Sequence, residues 1–146
     1  MSRVPHRITI RRPIRDVFAV LTDVEQTGRW FPGDVQEHWT SPPPLGAGST
    51  RHAVVRLWGR TVENDAMVIA YDPPFRAVIA GTTPNAPFVA TLLFSEEGQS
   101  TSVEVTTELT LTGVGRLAEP LFAARYGRMW ARGLEALKRL MESGDL

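Results

Sequence analysis

Between Thr50 and Thr112 the chain reads as five strands in succession, and this run limits the fold more than any other feature. The spacing predicts strands over 50–58, 60–71, 75–83, 87–95 and 101–112. The turns between them are Gly59, Asp72-Pro73-Pro74, Thr83-Pro84-Asn85-Ala86 and Glu97-Gly98-Gln99-Ser100. Breaks every ~8–12 residues suit an antiparallel meander. The last strand alternates most cleanly, with Val103, Val105, Thr107, Leu109 and Leu111 on one face and Glu104 and Glu108 on the other. Strand side chains alternate with a period of two, so the first set belongs to a core.

The flanks add helices. Residues 4–11 alternate Val4, His6, Ile8 and Ile10 against Pro5, Arg7, Thr9 and Arg11, which predicts one more strand. Pro13 stands in a first helical turn, and Ile14, Val17, Phe18 and Leu21 recur at helical spacing, so a helix is expected over 13–22. Asp23 is placed to cap a second short helix over 24–30, which Pro32 and Gly33 end. Trp30 and the neighbouring Phe31 make this segment an apolar plug. Val35–Thr40 reads as a strand, and Ser41-Pro42-Pro43-Pro44-Leu45-Gly46-Ala47-Gly48 as a break. A long helix is predicted over 115–142, with Ala118, Phe122, Tyr126, Met129, Gly133, Leu137 and Leu140 as its apolar stripe. Pro120 favours a start just after it. The order of elements points to the α+β class.

Composition narrows the function. One domain, 1–146, is expected at this length, with enough chain to bury a core. Lys plus Arg and Asp plus Glu are 16 each, a balance that argues against nucleic acid as a partner. There is no cysteine, so disulfides, thiolate metal sites and a cysteine nucleophile are excluded. His6, His38 and His52 lie far apart and suggest no metal site, and no cofactor is implied. No serine stands in a G-x-S-x-G setting. The N-terminus lacks the apolar run of a signal peptide, and no segment reaches the ~20 apolar residues of a membrane span. A cytoplasmic protein without stable membrane insertion is the expectation. Arg3, Arg7, Arg11, Arg12 and Arg15 read as a solvated basic face.

Four motifs in order resemble one known family. They are Ile10-Arg11-Arg12-Pro13-Ile14-Arg15-Asp16-Val17-Phe18, the Asp23–Pro32 segment with its Arg29-Trp30-Phe31-Pro32, Gly46–Ser49, and Tyr71-Asp72-Pro73-Pro74 ahead of a helix end at Glu135–Glu142. Together they resemble the START-like (SRPBCC) superfamily, in its polyketide cyclase/dehydrase and lipid-transport branch. The resemblance implies a helix-grip fold: a curved antiparallel sheet of six or seven strands wrapped around a long C-terminal helix, with two short helices after the first strand. It also implies a hydrophobic cavity between sheet and helix, and a small hydrophobic molecule as partner. Fold analogy alone does not choose between carrier, sensor, cyclase and a protein-interaction module without a ligand. A homodimer is left open.

Alternation then orients the strands. Arg51, Ala53, Val55 and Leu57 are expected to face in, followed by Val62, Asn64, Ala66 and Val68, by Phe75, Ala77, Ile79 and Gly81, and by Phe88, Ala90, Leu92 and Phe94. Small residues recur on this face, as a cavity requires. Arg51 is suited to a forked hydrogen bond with a carboxylate or phenolate, unless it reaches water at the strand end. Asn64 and Thr107 are suited to orient a carbonyl or hydroxyl, or to bond each other or a buried water. Trp30 and Trp39 flank the expected mouth, with core packing an equal role for Trp30. Tyr126 offers a hydroxyl from the long helix, or packs and reaches the surface. The candidate ligand-binding set is therefore Trp30, Trp39, Arg51, Asn64, Phe75, Ile79, Phe88, Thr107 and Tyr126. No catalytic acid–base pair is evident.

Overall fold

The computed structural model describes residues 2–57, 59–82 and 87–146, with the side chains of all of these except Leu57 and Val114. Trp58 and the turn expected at residues 83–86 lie outside the described residues. The order is β1 (Ser2–Ile10), α1 (Ile14–Thr22), a 3-10 helix (Val24–Arg29), β2 (Asp34–Trp39), β3 (Thr50–Leu57), β4 (Arg60–Asp72), β5 (Arg76–Gly81), β6 (Phe88–Glu97), β7 (Ser100–Leu109), a second 3-10 helix (Gly113–Ala118) and α2 (Glu119–Ser143). The strands form one antiparallel sheet in the order β1-β7-β6-β5-β4-β3-β2. From β2 to β7 each strand pairs with its neighbour in sequence, as in a meander. β1 joins the far edge by pairing with β7, from Ser2 opposite Leu109 to Ile10 opposite Thr101. The architecture is α+β and helix-grip.

Local chemistry explains the elements. α1 buries Ile14, Val17, Phe18 and Leu21, one face of a helical repeat. Asp23 caps the following 3-10 helix by accepting the Glu25 N–H at 3.1 Å. Pro120 occupies the first turn of α2, where its missing N–H leaves no bond unmade. The residues before it form the 3-10 turn, so α2 starts at Glu119 rather than 115. At its other end Gly144 adopts φ 85° and returns its N–H to the Leu140 and Met141 carbonyls.

Two strand expectations need correction. The register of β4 against β5 shifts between Val68 and Ala70, a bulge that places Tyr71 against the core. Phe75 belongs to the turn before β5, where its N–H is held by Asp72 O at 2.8 Å, and its ring is 57% exposed. It does not face inward. Val62 is also exposed, near the end of the β3–β4 hairpin.

The core lies between the concave face of the sheet, α1 and the C-terminal half of α2. Ile10, Val17, Val103, Val105, Leu137 and Met141 are fully buried within it. Each such side chain contributes roughly 1.5–3 kcal/mol by leaving water. Phe18 meets Phe94 edge-on at 5.0 Å and Tyr71 at 5.5 Å. Two glycines let α2 approach closely. A Cβ at Gly127 would stand 3.2 Å from Val4 Cγ1, and one at Gly133 would stand 3.2 Å from the Trp30 ring and 3.1 Å from Pro32 Cδ.

Polar contacts anchor both ends of α2. Arg12 donates to Met141 O at 2.7 Å and Leu146 O at 2.9 Å while pairing with Asp16. Glu119 accepts the Leu111 N–H at 2.8 Å and the Ser2 hydroxyl at 2.7 Å. These bonds, Leu111 first, hold its carboxyl at a pKa of about 2. Among the described residues no helix is long and apolar enough to cross a membrane.

Candidate functional site

The inner face of β2–β4 carries a buried charge pair. Its geometry follows from register. Glu37 on β2 lies opposite Ala53 on β3, which lies opposite Asn64 on β4. In the next row Trp39 lies opposite Arg51, which lies opposite Ala66, which lies opposite Gly81. Side chains two residues apart share a face, so Arg51 has Glu37 and Asn64 as diagonal neighbours on either side. Ala53, Ala66 and Gly81 leave the floor low enough for the long Arg51 side chain to lie across it.

Arg51 is only 7% exposed. Its Nε stands 3.2 Å from Glu37 Oε2, an ion pair whose angle is too poor for a well-formed hydrogen bond. Nη1 donates to the Asn64 side-chain oxygen and, at 3.3 Å, to the Asn64 backbone carbonyl. The guanidinium carbon lies 5.8 Å from the centroid of the Phe88 ring. That ring covers Gly81, where a Cβ would meet it at 2.4 Å.

The electrostatics follow from burial. Desolvation pushes the Glu37 carboxyl above its ordinary range, and Arg51 and a hydrogen bond with Thr27 oppose that shift. Burial lowers the Arg51 pKa, with Glu37 offsetting part of the effect, and the guanidinium remains a cation at neutral pH. The Tyr126 phenol is buried within electrostatic reach of both, and desolvation raises its pKa, so it is a neutral O–H donor. Tyr126 belongs to an aromatic ladder along α2. It stacks on Phe122 at 5.9 Å and meets Trp130 at 6.3 Å, and Trp130 lies 5.7 Å from Trp30 and 5.4 Å from Phe31. Trp130 Nε1 is buried and lacks a well-formed hydrogen bond, although it lies against the Tyr126 oxygen.

Beyond Trp39 the interior holds an apolar hollow of about 70 Å³, bordered by Leu21, Leu45, Val68, Tyr71, Ile79 and Leu92 among others. At ~30 Å³ per water, a space of that size holds two or so waters. Drug-sized ligands occupy ≈ 300–1,000 Å³. This hollow alone is smaller than a ligand of that size.

The candidate residues separate into groups. Arg51, Asn64, Phe88 and Tyr126 come together around the charge pair. Trp39 and Ile79 border the hollow, and Trp39 connects the two regions through its pairing with Arg51. Trp30 is a core residue wedged against Gly133. Thr107 is buried one strand beyond, opposite Ala90, while Asn64 directs its side-chain oxygen to Arg51. Phe75 is outside the site.

Glu37 is the residue that sequence reasoning missed. The signal was present, because Val35, Glu37 and Trp39 alternate with Asp34, Gln36 and His38. Alternation along this strand puts Glu37 on the same face as Trp39. The histidines contribute little. His52 is bonded to Asp65 at 2.8 Å on the outer face beside His38, and His6 is half-buried under Gly127 with its pKa lowered by burial. Among the described residues no group of three or more His, Asp and Glu is placed to hold a metal ion.

Comparison with known proteins adds to this geometry. The family model described as "Polyketide cyclase / dehydrase and lipid transport" matches residues 1–142. No curated protein sequence matches the chain. The solved structure of TTHA0849 from Thermus thermophilus superposes with a TM-score of 0.83 at 19% identity, covering 99% of this chain and 100% of that one. NE0264 from Nitrosomonas europaea gives 0.76 at 15% identity, covering 98% and 96%. A Thermobifida fusca protein gives 0.70 at 20% identity, covering 94% and 91%. At these identities the likeness is one of fold.

Proposed function

The chain belongs to the polyketide cyclase / dehydrase and lipid transport family, and from that premise we propose that it binds one small hydrophobic molecule between the sheet and α2, as a carrier or sensor. The observation that carries this reading is a set of buried polar groups with incomplete partners in an otherwise apolar interior. Arg51 Nε and Trp130 Nε1 are both buried without a well-formed hydrogen bond. A buried unpaired donor costs about 1–3 kcal/mol. A ligand oxygen beside Arg51 and Tyr126 would recover part of that cost. Its apolar body would extend past Trp39 and Ile79 into the hollow. Because the hollow is small, binding requires the Phe122–Tyr126–Trp130 ladder or the Leu45 loop to shift outward.

A cyclase is the second reading, and Glu37 is the observation in its favour. A carboxyl whose pKa is raised by burial is a competent general base toward an acidic ketone C–H, with Arg51 positioned to stabilise the enolate oxygen. Turnover of a poly-β-ketone substrate that is lost in Glu37→Gln would select this reading.

The binding claim is tested with N-phenyl-1-naphthylamine, a neutral dye that fluoresces in apolar sites. One dye per chain is expected. Ala53→Leu raises the floor between Glu37 and Asn64, and it should weaken binding at least tenfold while circular dichroism stays unchanged. Absence of saturable binding to the wild-type protein would overturn the reading.

A further inference from the structure

We propose that the interior site selects ligands whose polar end is uncharged, such as a phenol, enol or ketone oxygen, and rejects carboxylates and other anions. This rests on the reading that the interior holds a hydrophobic ligand, and it specifies which ones. Taken alone, Arg51 suggests the opposite, because a buried guanidinium is a usual anchor for an anion. The neighbouring strand reverses that expectation.

Glu37 already supplies the counter-charge. Its side chain is 13% exposed, that of Arg51 is 8% exposed, and the two are 3.2 Å apart. The remaining contacts of the guanidinium are to neutral groups, namely both Asn64 oxygens and the Phe88 ring, and Asp65, bonded to His52 on the outer face, adds a weaker attraction. The pair is therefore neutral overall, within an apolar shell.

A second anion entering this space would lose its hydration. It would also face Glu37 as well as Arg51, and the attraction and repulsion nearly cancel. Dislodging Glu37 instead would strand a buried carboxylate, which is more costly still. A neutral oxygen meets neither penalty. It can accept an N–H from the Arg51 guanidinium, whose Nε is buried without a well-formed hydrogen bond, and the Tyr126 O–H. Tyr126 itself is a neutral phenol within electrostatic reach of the pair.

The test compares two dyes of one aromatic frame. N-phenyl-1-naphthylamine is neutral, and 8-anilinonaphthalene-1-sulfonate is its sulfonated counterpart. The wild-type protein should bind the neutral dye on the order of 100-fold more tightly, the size of effect that an uncompensated buried charge produces. Glu37→Gln leaves Arg51 without its counter-charge. The ratio of sulfonate affinity to neutral-dye affinity should then rise at least tenfold. Equal affinities in the wild-type protein, or a ratio that does not rise in a folded Glu37→Gln, would overturn the proposal while leaving ligand binding intact. Failure of both dyes to bind would instead overturn the reading on which it rests.

The wild-type protein provides a check that needs no variant. Calorimetry of 2-naphthoate and 2-naphthol in two buffers of different ionisation heat counts protons. Near pH 6, naphthoate should bind weakly and take up about one proton, entering as the neutral acid or protonating Glu37, while naphthol takes up none. Tight naphthoate binding without proton uptake would refute charge selection even if Glu37→Gln does not fold.

Discussion

Glu119 shows how one side chain can set an acid limit on this fold. Its carboxylate joins the start of α2 to Leu111 and Ser2, and these bonds lower its pKa from 4.5 to about 2. The folded state therefore binds fewer protons than the unfolded state between those values. The resulting stability is complete above the unfolded pKa and is lost as pH falls through 4.5 toward 2. Glu119→Gln keeps an acceptor oxygen but removes the charge. Thermal melts should show a gap in Tm between wild type and variant that is widest near pH 7 and closes toward pH 2. A gap that is constant with pH would refute this role. Glu37 shifts in the other direction, its pKa raised chiefly by burial, so its ionisation weakens the fold as pH rises.

At the scale of the element, α2 is two helices in function. Its C-terminal half buries Gly133, Leu134, Leu137 and Met141 and belongs to the core. Its N-terminal half carries the Phe122–Tyr126–Trp130 ladder, whose Tyr126 phenol is within electrostatic reach of the charge pair. The two close-approach glycines separate these roles. Gly to Ala inside a helix gains about 0.5–1 kcal/mol from backbone entropy. At Gly127 the new methyl meets a single Val4 methyl at 3.2 Å, which can yield by a few tenths of an ångström. At Gly133 it meets the Trp30 ring at 3.2 Å and Pro32 at 3.1 Å, and that indole is itself wedged between Phe31 and Trp130. Gly127→Ala should therefore be neutral or slightly stabilising, and Gly133→Ala should destabilise by about 1–3 kcal/mol, the usual range for overpacking. Denaturant midpoints give both signs, and the reverse order would show that α2 does not seat as described.

For the whole molecule, ligand binding is a stability effect as well as a fit, because a ligand that binds only the folded state adds to its stability. A ligand present at 100 times its Kd adds about 2.7 kcal/mol to the folded state. For a chain of this length that corresponds to a rise in Tm of roughly 5–10 °C. N-phenyl-1-naphthylamine at that excess should produce such a shift, and at the same dye concentration a tenfold loss of affinity in Ala53→Leu should cut it to about half. A dye held on the outer sheet face, where Met67, Ile69, Val89 and Leu93 are exposed, would shift both proteins equally.

Much of this was legible in the chain. A period of two is written residue by residue, so β7, the inward turn of Arg51 and the low floor of Ala53, Ala66 and Gly81 could be read without coordinates. The same holds for α1 and its Asp23-capped successor, whose signals span only a few residues. Contacts between distant segments could not be read this way. The pairing of β1 with β7, the Val68/Ala70 bulge that turns Tyr71 inward and the displacement of Phe75 into a turn depend on how strands meet. Glu37 marks the boundary between the two. Alternation gives its face, but only the β2–β3 register brings it to Arg51 and makes a lone buried cation into a neutral pair. Charge interacts through space, and distance in space is what folding supplies.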